Sequence, residues 1–314
     1  MLLQVDYEAD SVFSNKIDPK SSGGFIDGNF TSGKLKEIQT NAKCYILKFN
    51  LNSTLLAVGL SDGQGVELYE TNQFRLIYTI ERSDTVSALD WVEADAPGKS
   101  KLDDDSVKSN ESEDQLLAVG SFDGFVKVYS ISLVSKDFVT LVDSFHFQSG
   151  VYSIAFLKDN ATNYAPSPRT IAVGERNGRV SIVTLAENNG LSYNNAVRIR
   201  VLDARAESAI LSLAFGFVDE GIIMVYGTKD GEVRASFLAL DFEQGWIVSH
   251  VLFELQRTGA IRALRFNHDS TTLIVGGYDK TVLIIDTKLW KIVRELYMDG
   301  TVSGREAPPI IILE

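Results

Sequence analysis

The chain repeats itself, and that restricts its fold more than any other property. The segments CYILKF from Cys44, VSALDW from Val86, VYSIAF from Val151, ILSLAF from Ile210 and IRALRF from Ile261 share one pattern, and each ends in an aromatic residue. A second apolar run closing on glycine follows each: LLAVG from Leu55, LLAVG from Leu116, TIAVG from Thr170, IIMVYG from Ile222 and TLIVGG from Thr272. A polar turn and a third run come next, as SDGQGVELY at Ser61, SFDGFVKVY at Ser121, ERNGRVSIV at Glu175, TKDGEVRAS at Thr228 and GYDKTVLII at Gly277. Fourth runs such as FRLIYTI at Phe74, FVTLVDSF at Phe138, VRIRVL at Val197 and IVSHVLFEL at Ile247 precede the next unit. Asp-Gly and Asn-Gly suit two-residue hairpins because both central positions need positive φ. Four short antiparallel strands per repeat make the blade of an all-β propeller.

Spacing shapes that expectation. The units start 42, 65, 59 and 51 residues apart, against about 40 to 45 for a regular repeat of this kind, so the surplus belongs in loops. Five repeats are readable, and 314 residues are too few for six or seven complete blades with such loops. The alternatives are a small closed ring or an open arc, and the arc is the expectation here. An open sheet edge invites pairing with another chain, so self-association through it is also expected.

LLAVGSFDGFVKVY, with Gly-Ser before an Asp-Gly turn and an aromatic closing the third strand, resembles a WD repeat. The resemblance covers roughly residues 38 to 297. Departures are plain: Gly-His is absent throughout, and none of Trp91, Trp246 or Trp290 is followed by Asp. Tyr69 and Tyr129 stand where the family has Trp, and Val183 and Ile285 replace it elsewhere. In the family a His, a Ser or Thr, the Trp and the turn Asp form a buried hydrogen-bonded set. This sequence retains chiefly the turn member, as Asp62, Asp123, Asp230 and Asp279, with Asn177 in the third repeat. The resemblance implies a platform for a protein or peptide partner.

Composition excludes other classes. Net charge is −12, which repels phosphate backbones and anionic lipid surfaces on average, so neither nucleic acid nor membrane is expected as a partner. The longest apolar stretches, such as Gly221 to Val225 and Ile310 to Leu313, fall far short of the roughly 20 residues of a membrane span. One cysteine, Cys44, cannot form an internal disulfide, and the first ten residues lack a secretory pattern. A soluble protein of a reducing compartment, cytoplasm or nucleus, is the expectation.

Residues 1–37, with SSGG and GNFTSGK, read as a flexible lead, residues 38–297 as the propeller, and 298–314 as a tail. Residues 93–114 contain eight acidic and three basic residues and read as a solvated, disordered loop. That loop, with those from Leu157 and Ala186, projects from the face opposite the tight turns and leaves the tight-turn face compact.

No catalytic, cofactor or metal site is expected. His146, His250 and His268 are each alone in their motifs, and the turn aspartates belong to separate blades, without the several oxygen ligands Ca²⁺ requires. A propeller-type hydrolase or quinoprotein-like dehydrogenase is the disfavoured alternative: the expected channel positions Ser87, Ser153, Ser212 and Arg262 form no catalytic cluster. Lys43, Arg82, Arg205 and Arg257 before first strands, with Arg176, Lys229 and Lys280 in the turns, predict a broken cationic rim for an acidic or phosphorylated peptide. Asp84, Glu175, Asp203 and Glu207 are interspersed, so a mixed-charge solvated rim is the competing reading. The expected core anchors are Phe49, Trp91, Phe156, Phe215 and Phe266.

Overall fold

The computed structural model describes residues 2–5, 36–93, 114–133, 137–157, 170–185, 199–202, 206–218, 221–241 and 245–298. The acidic loop, the loops after Leu157 and Ala186, and the tail lie outside the described residues but for their outermost positions. Five antiparallel four-stranded sheets carry the fold. Blade 1 is β3 (Cys44–Phe49), β4 (Leu55–Leu60), β5 (Val66–Glu70) and β6 (Arg75–Ile80). Blade 2 is β7 (Val86–Glu93), β8 (Gln115–Ser121), β9 (Phe125–Ile131) and β10 (Val139–His146). Blade 3 is β11 (Val151–Phe156), β12 (Thr170–Glu175), β13 (Val180–Thr184) and β14 (Ile199–Val201). Blade 4 is β15 (Ile210–Val218), β16 (Gly221–Thr228), β17 (Glu232–Asp241) and β18 (Gly245–Gln256). Blade 5 is β19 (Ile261–Phe266), β20 (Thr272–Gly277), β21 (Thr281–Asp286) and β22 (Lys291–Tyr297). Within the segment read as a flexible lead, β1 (Leu2–Val5) pairs antiparallel with β2 (Lys36–Gln39).

The second strand of each blade is buried on both faces in blades 1 to 3, and alternation decides which neighbour each side chain meets. Leu117 and Val119 pack back on blade 1 while Ala118 packs forward on blade 3. Met224 and Tyr226 face blade 3, and Ile223 and Val225 face blade 5. The innermost strands accordingly touch in the order β3, β7, β11, β15, β19.

Glycine closing the second strand makes this stacking close. A Cβ on Gly59 would lie 2.6 Å from Val86, on Gly120 2.7 Å from Val151, on Gly174 2.5 Å from Ile210, and on Gly227 2.4 Å from Ile261. The first residue of each next blade therefore sits where that side chain would be. At Gly276 of blade 5 the nearest atom is Ala263 of the same blade, at 3.3 Å. Among the described residues no core cluster joins blade 5 to blade 1, consistent with an open arc.

Two expectations about packing need correction. Trp91 and Phe156 are buried anchors, but Phe49, Phe215 and Phe266 are only half-buried, packed at the margins of their clusters. Ser87, Ser153 and Ser212 do not line the channel: they are buried and donate to the next blade's first carbonyl, at Val151 (2.5 Å), Ile210 (3.0 Å) and Ile261 (3.1 Å). A hydroxyl buried between blades must find an acceptor, and the neighbouring backbone offers one.

Candidate functional site at the channel mouth

The tight turns and the entries to the first strands lie at one end of the arc, tied by a bond repeated in every blade. Ser61 N–H donates to Lys43 C=O (3.0 Å), Phe122 to Thr85 (3.2 Å), Arg176 to Gly150 (2.8 Å), Lys229 to Ala209 (2.9 Å) and Tyr278 to Ala260 (3.0 Å). Only the first turn has two consecutive residues at positive φ, Asp62 and Gly63. In the others the left-handed position falls one residue later than a two-residue hairpin requires, at Gly124, Gly178, Gly231 and Lys280. Gly124 N–H closes on Ser121 C=O at 3.1 Å, and the preceding Asp123 or Asn177 carboxyl or amide oxygen accepts the N–H of Phe125 (3.1 Å) or Arg179 (3.0 Å). Asp123, Asn177 and Asp279 thus each accept the backbone N–H two residues on.

Directly beside these turns the register slips in all five first strands, between Cys44 and Ile46, Val86 and Ala88, Val151 and Ser153, Ile210 and Ser212, and Ile261 and Ala263. A bulge leaves one residue unpaired and re-aims its side chain. The five bulge residues are Tyr45, Ser87, Tyr152, Leu211 and Arg262. Tyr45 meets Phe122 edge-on at 5.2 Å, Phe122 meets Tyr152 at 4.8 Å, and the Arg262 guanidinium lies 5.3 Å from the centre of the Tyr278 ring. Tyr45 is 40% and Tyr278 47% exposed, unusual for aromatics with packed neighbours on a channel rim. Burial raises the Tyr45 hydroxyl above its ordinary value, with Arg262 opposing and Tyr152 and Tyr278 adding to the shift. Tyr45 of blade 1 is thus coupled electrostatically to Tyr152 of blade 3 and to Arg262 and Tyr278 of blade 5.

The expected cationic rim divides. Lys43, Arg176, Lys229 and Lys280 are exposed, and Arg205 lies outside the described residues. Arg82 and Arg257 are not rim groups. Arg82 is buried and donates to Ser121 Oγ, which donates to Asp123 Oδ1. Arg257, with a side chain 6% exposed, donates to Asp279 Oδ1 at 2.6 Å and to Thr281 C=O at 3.3 Å. Burial works against ionisation of both aspartates. At Asp123 it is outweighed by hydrogen bonds from Ser121, Phe125 N–H and Ser83 and by the charge of Arg82; at Asp279, by bonds from Arg257 and Thr281. Both carboxyls therefore sit below the usual range. In these blades arginine completes the buried polar set for which the sequence offers no Gly-His.

Sequence reasoning missed the aromatic mouth because Tyr45, Tyr152 and Arg262 stand in different chemical classes. Only the shared bulge position, one residue after each strand start, unites them. Among the described residues no group of three metal-ligating side chains forms, and no helix is long and apolar enough to cross a membrane.

The family model described as WD domain, G-beta repeat matches residues 250–286. The matched stretch runs from within β18 through β19 and β20 to the end of β21, so the sequence repeat joins the outer strand of one blade to three strands of the next. A search of curated proteins finds no match to the chain.

Proposed function

We propose, for a chain that is a WD-repeat β-propeller by its match at 250–286 and its five four-stranded blades, that the tight-turn face binds a peptide across the channel mouth. WD40 repeats generally mediate protein–protein interaction and are typically non-enzymatic, which is the setting for this reading. The observation that carries it is the set of bulges presenting Tyr45, Tyr152 and Arg262, joined by Phe122 and Tyr278.

Aromatic rings and arginine are the side chains that most often dominate binding energy at protein interfaces. Tyr45, Phe122 and Tyr152 form an apolar seat for one side chain of the peptide. Arg262, held over Tyr278, presents a planar fork suited to a carboxylate or phosphate. Lys43, Arg176, Lys229 and Lys280, exposed near the turns, contribute mainly to encounter rate. The partner this chemistry selects is a peptide with a bulky apolar residue near an acidic or phosphorylated one.

Fluorescence anisotropy against a peptide library synthesised in neutral, glutamate-containing and phosphorylated versions tests the reading. The anionic versions should bind in preference. Tyr45→Ala with Tyr152→Ala should weaken all versions by more than about tenfold, as loss of an interface hot spot does. Arg262→Glu should abolish the preference for anions while circular dichroism stays unchanged. Binding unaffected by either variant would refute the assignment.

A further inference from the structure

The two ends of the arc are not equivalent. Blade 1 turns Leu56, Val58 and Leu60 away from blade 2, toward the side where no blade precedes it, yet these are 0%, 0% and 1% exposed and cluster with Ile38 of β2. On blade 5 the corresponding open side is uncovered. Arg265, Ile274, Ile284 and Arg294 stand opposite one another across its four strands, as do Ala263, Gly276, Val282 and Leu296. Ile274, Ile284 and Val282 are half-buried, Leu296 is 40% exposed, and both arginines are exposed. The positions equivalent to Ile274, which are Ala57, Ala118, Ala172 and Val225, are each fully buried by the next blade.

What the interior blades place on this face defines what fits the end. Over the second-strand glycine each next blade sets a β-branched aliphatic residue: Val86, Val151, Ile210 and Ile261. At the position of Arg265, blade 1 has Lys48, whose ammonium reaches forward to Asp90 of blade 2 at 2.6 Å. Asp90 lies four residues after Val86 on β7. Applied to blade 5, the same relation calls for a β-branched residue over Gly276 and a carboxylate four residues on, facing Arg265.

The five first strands of this chain cannot supply that pair. Blade 1, which would close the ring, offers Cys44 and Lys48, and Lys48 would set like charge against Arg265. Asp90 is the one acidic residue at this position, and it already accepts from Lys48 and from Phe156 N–H at 2.7 Å. The end is also basic in an acidic protein: from Arg257 to Met298, seven Lys and Arg stand against four Asp and Glu in a chain of net charge −12. An acidic partner is favoured there.

We infer that the uncovered face of blade 5 receives a β-sheet of a separate polypeptide, whose leading strand carries Val or Ile over Gly276 and, four residues later, Asp or Glu paired with Arg265. This surface is distinct from the channel mouth, and Arg262 has no part in it.

The test uses the full chain as receptor. The probe is a cyclised hairpin peptide copying Val86–Glu93 joined by Asn-Gly to Gln115–Ser121, made with Asp90 or with D90K. The Asp90 hairpin should bind saturably, and hydrogen exchange should slow in β20 and β21 and not at the channel mouth. Arg265→Glu should weaken it at least tenfold, and the D90K hairpin should recover binding to Arg265→Glu. Gly276→Leu should block the hairpin while Arg262→Glu leaves it unchanged, which separates this surface from the channel-mouth reading. Four results would overturn the inference: no saturable binding, binding that appears only after residues 299–314 are removed, since Ile310 and Glu314 have the same spacing and that segment would then be the occupant, binding indifferent to the charge at position 265, or a dimer of the chain that Arg265→Glu dissociates, since a second copy would then be the occupant.

Discussion

The two terminal blades are built from the same repeat and meet opposite fates. Blade 1 has a fully buried second strand on both faces, whereas β20 of blade 5 alternates buried and half-buried residues and β22 is exposed along its whole length. Strand propensity and hydrophobic content do not separate them: LLAVGL and TLIVGG are nearly interchangeable as sequences. The difference is a neighbour. On blade 1, Ile38 of β2 joins the cluster of the backward face; on blade 5, no described residue stands forward of Gly276. Burial in a propeller is thus set by what the adjoining blade supplies, and sequence pattern within a blade records only the capacity for it.

Truncations should expose the difference most strongly. Leu56→Ala, on the covered face, is expected to cost about 2 to 5 kcal/mol, and Trp91→Ala at the first blade interface about 3 to 5 kcal/mol. Ile284→Ala, on the uncovered face, should cost less, about 1 to 2 kcal/mol, because Ile284 is only half-buried. Urea denaturation of the three variants compares them. Equal losses at positions 56 and 284 would mean that the ends are equally covered.

Glycine offers a more local comparison. Gly227→Ala forces a methyl to within 2.4 Å of Ile261 and 2.6 Å of Ser212 Oγ, and should destabilise by about 1 to 3 kcal/mol. Gly276→Ala meets only Ala263 at 3.3 Å and should lie within about 0.5 kcal/mol of the native chain. Thermal melts of the pair decide it, and comparable destabilisation would show an occupied site beyond blade 5.

The repeat and the four-strand blade were legible because each rests on local pattern: aromatic-terminated strands, glycine-closed strands and polar turns recurring in order. Burial of the anchors was less so. Phe49 and Phe266 are half-buried in blades at the ends of the arc, and Phe215 packs only at the margin of its cluster; aromaticity does not reveal the neighbour. Arg82 and Arg257 read as solvated loop cations because their partners, Asp123 and Asp279, lie 41 and 22 residues away along the chain. The channel mouth was the least legible, since a bulge is a matter of register and leaves no fixed residue type behind.

Smaller effects should distinguish the polar sets of the blades. Arg257→Met leaves Asp279 with only Thr281, and should cost about 1.5 to 3 kcal/mol, the range for a hydrogen bond to a charged group. Because Asp279 is held below its unfolded value near 3.9, its contribution is complete above that value and is lost as pH falls through the folded one. The variant's deficit should therefore shrink below about pH 4. Glu175 behaves oppositely. Burial raises its carboxyl despite bonds from Ser181 and Asn177 and the charge of Arg179, so its ionised form is disfavoured in the fold. Glu175→Gln should be neutral or slightly stabilising at pH 7, and the difference should vanish in acid as Glu175 itself becomes neutral.

Cysteine labelling under native conditions tests the open end of the arc most directly. Cys44 is buried, and burial with the nearby Glu67 charge pushes its thiol up to about 11, so it provides an unreactive background. In the monomer, Arg265→Cys, at an exposed position of the forward face, should react with a maleimide at a rate approaching that of a free thiol, while Ala172→Cys, at a blade interface, should react only as fast as the protein unfolds. Slow labelling at both positions in a monodisperse monomer would show that the forward face of blade 5 is covered and would contradict the open arc.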